Sequence, residues 1–510
     1  MITLFDTPQF NERQRTALRE QLQKALQRIP TDGSPVDWTD VYIPTSHWQA
    51  LDPQRMVVEG MRGSGKSFWT GVLTDLKLLK ELGRQEIGLD LQQALSNIQQ
   101  SYKIALDAGL TEKTFPESNE LEKLLALPGV KAETIWMVAI LRLFPVDSEL
   151  GMPASTDEYD QWTSPVAWAG LNPARLSNGL AFLDQQLEQS RQTALVVIDA
   201  IDRASHDLSQ VSAMGAGLLR VLLELRFAKG LRIKAFFRED VLSRASPSVV
   251  DGSKLLNNKV VLEWNQSELY GLAFYRIAQH STTFREQFKQ ITGSTWKQDG
   301  AQRYVCNMAS DAKTQKLFWR ALVGDYMGKV ATKGHSFPYI FNHLSDGLGR
   351  VAPRIFLVAL RAALTSTIDQ KLEIDRVIHH EAIKDGVRTA STARVTELKD
   401  EYAWIDPALQ CIHAQKETVP IDRTTLERIW MANDAGVLSE IEAMRSNALI
   451  PWRSEAGNAA KIESLRTTLD QIGVIKSRMK GDCERIEIPD IYRLAYKIGR
   501  KGGISTNKKV

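Results

Sequence analysis

Gly60-Met61-Arg62-Gly63-Ser64-Gly65-Lys66-Ser67 sets glycines, a lysine and a hydroxyl at the spacing GxxxxGK[ST]. The chemistry that needs this spacing is the holding of a polyphosphate. Successive backbone N–H groups must turn inward around a phosphate, side chains must stay clear of it, and a helix opening behind the loop adds its positive N-terminal end. On that reading Gly60, Arg62, Gly63, Ser64, Gly65, Lys66, Ser67 and Phe68 form a nucleotide site. Lys66 would reach the β- and γ-phosphates and the Ser67 hydroxyl would hold Mg²⁺, so the expected ligand is ATP with Mg²⁺. A loop of this kind also needs a carboxylate at the end of a neighbouring strand. "ALVVIDAIDR" supplies Asp199 after a β-branched apolar run, as a second metal group, with Asp202 and Arg203 behind it.

Such residues work only if the right elements carry them. "RMVVEG" reads as a short strand feeding the loop, and "KSFWTGVLTDLKLLKELG" has helical periodicity up to Gly83. "ALVVID", "GLRIKAFFRED" and "NKVVLEW" read as further buried strands separated by helices, which predicts an α/β fold with a parallel sheet and helical crossovers. The stretch from about 91 to 190 reads as mostly helical, an insertion between Lys66 and Asp199 that suggests a protein partner. Beyond Trp264 helices dominate. "KIESLRTTLDQIGVIKSRMKGDCERIEIPDIYRLAYK" then reads as helix, strand, turn and strand, the plan of a winged helix.

With "RGSGKS", the D-x-x-D-R ending of "VVIDAIDR" resembles the KAP and STAND branches of the P-loop ATPases, relatives of the AAA+ proteins with an extra strand between the two Walker strands. The resemblance spans roughly residues 40 to 366. It implies an ATPase in which Lys66, Asp199, Asp202 and Arg238 serve catalysis, Arg238 as the polar sensor at the tip of "IKAFFRED". It implies a helical lid whose arginine approaches the γ-phosphate, with Arg350 and Arg354 as candidates and Arg354 assigned to the nucleotide. AAA+ hydrolases usually carry a glutamate directly after the Walker B aspartate. Here that position is Ala200, and Asp202, Glu239 and Asp240 are open as substitutes, so slow hydrolysis is an expectation too. The resemblance also implies assembly into a homo-oligomer, with Arg220, Arg226 and Arg244 as finger candidates, and work in DNA maintenance or in defence against mobile elements.

The expected organisation is an N-terminal helical extension (1–40), an α/β nucleotide core (41–265), a helical lid (266–370), a helical connector (371–403) and a winged-helix-like domain with a basic tail (404–510). Helix formers at 11–28, with an apolar stripe at Leu18, Leu22, Ala25 and Leu26, carry the first of these. Composition fits a globular chain of several domains, with 43% hydrophobic and 25% charged residues among 510, and excludes a fibrous or mainly disordered one. Three scattered cysteines form no CxxC pair, the N-terminus has no signal-peptide pattern, and apolar runs are too short to span a bilayer, which together predict a cytoplasmic protein off the membrane. His379-His380-Glu381 shows no third metal ligand. The formal net charge is +3, but residues 475–510 hold ten Lys or Arg against four Asp or Glu. "DIYRLAYKIGRKGG" interleaves Tyr492 and Tyr496 with Arg493, Lys497, Arg500 and Lys501, a pattern that would suit either DNA or protein docking. The leading reading is an ATP-driven switch. The second is a nucleic-acid-binding scaffold with structural ATP, and a small-molecule kinase ranks behind both because the lid and C-terminal unit exceed such an enzyme's needs.

Overall fold

Val57–Gly60, Thr193–Asp199 and Leu231–Arg238 are buried almost throughout, and apolar β-branched runs of this kind need cover on both faces. In the computed structural model they form the middle of a parallel sheet. The structure describes residues 10–27, 35–85, 88–106, 114–145, 147–153, 160–205, 207–300, 303–306, 311–328, 330–370, 375–432, 436–445, 450–452 and 456–500. They divide into two compact units, one of Asp32–Trp38 and Ser46–Glu263, the other of Met1–Thr31, Thr39–Thr45 and Trp264–Val510.

The first unit is the α/β core, a P-loop NTPase sheet with helical crossovers. Its described strands are β1 (Val57–Gly60), β2 (Ile98–Ala105), β3 (Thr193–Asp199), β4 (Leu231–Arg238) and β5 (Val260–Val261), all parallel, in the order β2-β3-β4-β1-β5. β4 thus lies between the loop-bearing strand β1 and the aspartate-bearing strand β3. The chain leaves β1 toward one edge and leaves β4 toward the other, so the crevice at their C-terminal ends is a topological switch point, where open α/β sheets bind ligands. β2 corrects the helical reading of 91–190. "IQQSYKIA" lies at the sheet's edge with polar residues at Gln99, Gln100, Ser101 and Lys103, and only Ile98, Ile104 and Ala105 are buried. The helices that follow, among them Ala132–Leu141 and Pro173–Gln189, pack on one another and on the sheet.

The second unit begins with the helix Glu12–Gln27, which buries Leu18, Leu22, Ala25 and Leu26 against the helices Gln266–His280 and Pro353–Asp369. Phe274, Phe284, Phe288 and Phe318 interlock as the aromatic core of this helical lid, ring centroids 4.9 to 6.4 Å apart. A small hairpin of β6 (Lys297–Asp299) and β7 (Arg303–Val305) rests on it, with Arg303 reaching the Val41 carbonyl at 3.1 Å. Helix Pro353–Asp369 runs along helix His380–Lys399, which leads into the C-terminal part.

That part has the element order of a winged helix. Helix Ile405–Ala414 is followed by β8 (Thr418–Val419) and β9 (Ile421–Asp422), helices Arg423–Met431, Val437–Ala443 and Asn458–Gln471, and a hairpin of β10 (Lys476–Lys480) and β11 (Cys483–Glu487). β9 adds to the hairpin as its third strand, and β12 (Gly499–Arg500) pairs with β8. The basic, aromatic stretch near the end is no exposed edge. Tyr492 and Arg493 are fully buried and Tyr496 is 7% exposed, because helix Asp490–Arg493 packs into the lid side of this unit. Asp490 holds Arg493 at 2.5 Å and Arg500 at 3.5 Å and also pairs with His343, while Ser391 Oγ donates to the Ile491 carbonyl at 2.8 Å. Lys501 and the rest of the basic tail lie outside the described residues.

Candidate nucleotide site

β1 ends at Gly60, and the loop from Met61 to Gly65 returns into the helix Lys66–Thr74. Three glycines are required by geometry. Gly63 and Gly65 stand at φ 76° and 104°, which L side chains rarely adopt, and a Cβ on Gly60 would collide with the Ser64 hydroxyl. The loop is closed on itself: Ser64 N–H donates to the Met61 carbonyl at 3.2 Å, and Lys66 Nζ donates to the Gly60 and Met61 carbonyls, both at 2.8 Å. Ser67 and Phe68 open the helix, half-buried, with the Phe68 ring edge-on to Trp69 at 5.3 Å.

Three interactions fix this loop, and sequence reading singled out none of them. The Trp69 indole N–H donates to His47 Nδ1 at 3.0 Å, so His47 carries its proton on Nε2 and donates it to the Glu263 carbonyl at 3.0 Å. Burial holds His47 neutral, its pKa lowered to about 4 despite the opposing pull of that carbonyl. Lys234, buried in mid-β4, donates to the carbonyls of Asp52 and Arg55 at 2.8 and 2.5 Å and so fixes the turn entering β1; burial lowers its pKa to about 7. Glu59, beside Gly60, is buried and paired with Lys259. A charged residue inside an apolar run, as in "VVEG" and "RIKAFF", was the available signal.

Asp199 ends β3, 3% exposed, and the helix Lys66–Thr74 packs against this strand. Asp199 Oδ1 accepts the Ala200 N–H at 2.8 Å, and Ala200 is left-handed at φ 61°, ψ 34°. The chain then turns through Ile201–Arg203, which brings Asp202 to Arg238 at 3.1 Å. Arg238 is the Cα partner of Gly60 in the β1–β4 register, and its guanidinium binds Asp240 through Nε at 2.8 Å and Nη2 at 2.5 Å. Lys66, the loop, Asp199, Asp202 and Arg238 therefore belong to one unit and to the C-terminal ends of its strands. Hydroxyl and carboxylate oxygens, as on Ser67 and Asp199, suit Mg²⁺.

The remaining candidates stand elsewhere. Arg354 belongs to the second unit, where it meets Glu397 at 3.4 Å, and Arg350 pairs with Asp346 at 3.1 Å. Arg220 meets Glu133 at 3.3 Å, and Arg226 lies over the exposed Phe227 ring at 4.4 Å. Among the described residues no group of three His, Cys, Asp or Glu side chains is placed to hold a metal ion, and the three cysteines are free.

No family model and no curated protein matches this chain. Solved structures match it loosely over most of its length. The Aeropyrum pernix ORC2 protein in its ADPNP–ADP complexes is 13% identical over 89% of this chain and 93% of that one, with a TM-score of 0.38. Drosophila ORC bound to DNA is 13% identical over 96% and 94%, at 0.31, and the ADP form of Aeropyrum pernix ORC2 is 12% identical over 96% and 92%, also at 0.31.

Proposed function

We propose that this chain binds ATP with Mg²⁺ and hydrolyses it as a molecular switch of the AAA+-like kind. The observation that carries this reading is a complete phosphate loop at the switch point of a parallel sheet, with a buried aspartate at the end of β3, on the far side of β4. The loop N–H groups and Lys66 would hold the phosphates, and Ser67 and Asp199 the metal. Bound Mg²⁺ supplies charge neutralisation on the β- and γ-phosphate oxygens. The fit is supported by the loop's left-handed Gly63 and Gly65, which put no side chain into the cradle, and by the packing of the helix that carries Ser67 on β3, the strand that ends at Asp199.

In this reading the nucleotide state is passed to a second copy, a protein partner or DNA, in the cytoplasm, in the service of DNA maintenance or of defence against mobile elements. Among the described residues no helix is long and apolar enough to cross a membrane. For DNA the supporting surface is the wing rather than the buried end: Arg478 and Lys480 are exposed there. Each such cation that meets a phosphate would make binding salt-dependent. Arg478 also lies 3.6 Å from Glu487, and Arg423 and Arg466 are paired with Glu427, Glu463 and Glu484.

A second reading, a nucleic-acid-binding scaffold that holds ATP without turning it over, is favoured by Ala200, which places no carboxylate beside Asp199. Phosphate release by the wild type and by Lys66→Ala, with and without duplex DNA, separates the two. Release that depends on Lys66 is expected; release no greater than that of the variant, together with nucleotide binding, would select the scaffold.

A further inference from the structure

The ATPase reading, on which this inference rests, describes a switch, and a switch needs a mechanical path out of the phosphate loop. Both ends of the loop are fastened to one short stretch of chain. At its entry, Leu262 N–H donates to the carbonyl of Glu59, the residue before Gly60, at 2.8 Å. At its exit, the backbone N–H of Trp69 donates to the Gly65 carbonyl at 3.0 Å, and the indole N–H of the same residue reaches His47 Nδ1 at 3.0 Å. His47 Nε2 passes the link on to the Glu263 carbonyl at 3.0 Å, which also accepts from Ser46 Oγ at 3.1 Å. Leu262 and Glu263 are the last two residues of the first unit before the chain enters the second at Trp264, and Ser46 and His47 are the first two after it returns from Thr39–Thr45. The loop is therefore tied, at both ends, to the places where the chain crosses between units.

Within the second unit the same crossings are held again. Trp264 stacks on Tyr42, ring centroids 6.3 Å apart and planes inclined by 24°. The buried Arg303 donates to the Val41 carbonyl at 3.1 Å, and the buried Arg276 meets Asp40 at 3.7 Å. A shift of Glu263 or His47 is thus handed to chain that is itself anchored. The chemistry of the link is specific. An indole N–H only donates and a carbonyl only accepts, so the group between them must accept on one side and donate on the other. The neutral imidazole of His47, wholly buried, does this across one rigid ring; an apolar side chain of similar size would fill the space and leave both groups unpaired. We propose that His47 is a positioning residue that couples the phosphate loop to the crossing at Glu263–Trp264, and that a nucleoside triphosphate with Mg²⁺ works this link. On binding, Lys66 Nζ turns from the Gly60 and Met61 carbonyls toward the phosphates, and the two ends of the loop shift against Leu262 and Glu263.

The test uses the full chain as wild type, Lys66→Ala, His47→Leu, His47→Gln and Trp69→Phe, with a fluorescent non-hydrolysable ATP analogue and Mg²⁺. It measures equilibrium affinity, the thermal midpoint, and hydrogen exchange of peptides covering residues 39–47 and 264–280 with and without saturating analogue. In the wild type the analogue is expected to change exchange in both peptides by about threefold or more. His47→Leu should bind the analogue about tenfold more weakly and, once saturated, should lose the change at 264–280. Trp69→Phe, which leaves His47 in place and removes the indole N–H, should behave in the same way and decides the matter if His47→Leu does not fold. His47→Gln, whose amide also accepts and donates, should restore part of the response. A response at 264–280 as large in His47→Leu or Trp69→Phe as in the wild type overturns the proposal, and a lowered thermal midpoint beside that intact response reduces His47 to a structural role. Lys66-dependent binding in the wild type with no response at 264–280 defeats the coupling alone. Binding by the wild type no tighter than by Lys66→Ala defeats the ATPase reading and the coupling with it.

Discussion

Ala200 holds a left-handed backbone without being glycine, at φ 61°. Such a residue costs on the order of 1–2 kcal/mol, and a β-branched side chain fits there far worse. Ala200→Val is therefore expected to lower stability by about 2 kcal/mol. Ala200→Gly should change it by less than about 0.5 kcal/mol, since relief of the strain is offset by the freer unfolded chain. Denaturant midpoints of the three proteins check this, and equal midpoints for valine and alanine would mean that residue 200 is not left-handed in solution. The same position shows what a sequence can reveal at this scale. The absence of a glutamate is legible in "VVIDAIDR", but the turn that delivers Asp202 to Arg238 depends on a strand that starts 29 residues further on.

The helix Lys66–Thr74 is pinned from below by one buried histidine. His47 is folded as a neutral ring with a pKa of about 4, against an ordinary value of 6.5. Between those values the unfolded chain binds a proton that the folded chain does not, so the stability tied to neutral His47 is present above about pH 6.5 and is lost as pH falls toward 4. The lowered pKa amounts to about 3 kcal/mol at most. Wild type minus His47→Gln, compared by denaturant unfolding at steps from pH 7 to pH 4, should show this slope; a difference that does not vary with pH would contradict it. Elements differed in legibility for a physical reason. The buried strands β3 and β4 announce themselves by continuous apolar runs, whereas β2 is an edge strand whose Gln99, Gln100 and Lys103 blur the pattern. The buried stripe of helix Glu12–Gln27 was readable to the residue, at Leu18, Leu22, Ala25 and Leu26, because one face of the helix is buried and the other is in water.

In the unit that carries the lid, the winged-helix-like part is fastened by buried charge. Arg493 is fully buried on Asp490, which also serves His343 and Arg500. Removing one partner of a buried pair leaves the other uncompensated and costs roughly 3–5 kcal/mol. Asp490→Ala is thus expected to lower the denaturant midpoint of this unit strongly while Lys66-dependent nucleotide binding persists, measured by unfolding together with binding of the ATP analogue. An unchanged midpoint would show that the helix Asp490–Arg493 is not seated as described. For the whole chain, the switch reading expects particle size in solution to differ between ATP, ADP and no nucleotide; light scattering that gives one size in all three conditions would remove assembly from the proposal.

By itself the sequence determined the phosphate loop, the aspartate strand, the α/β class and the order of helices and hairpin at the C-terminal end. All of these are contiguous motifs or periodicities of single elements, so the information is local. Tertiary structure alone decided that β4 stands between β1 and β3, that Asp240 and Asp202 grip Arg238 from opposite sides, and that Tyr492 and Arg493 face inward. Burial of a charge is decided by its partners: Arg493 reads as a surface cation until Asp490 and the lid helices close over it.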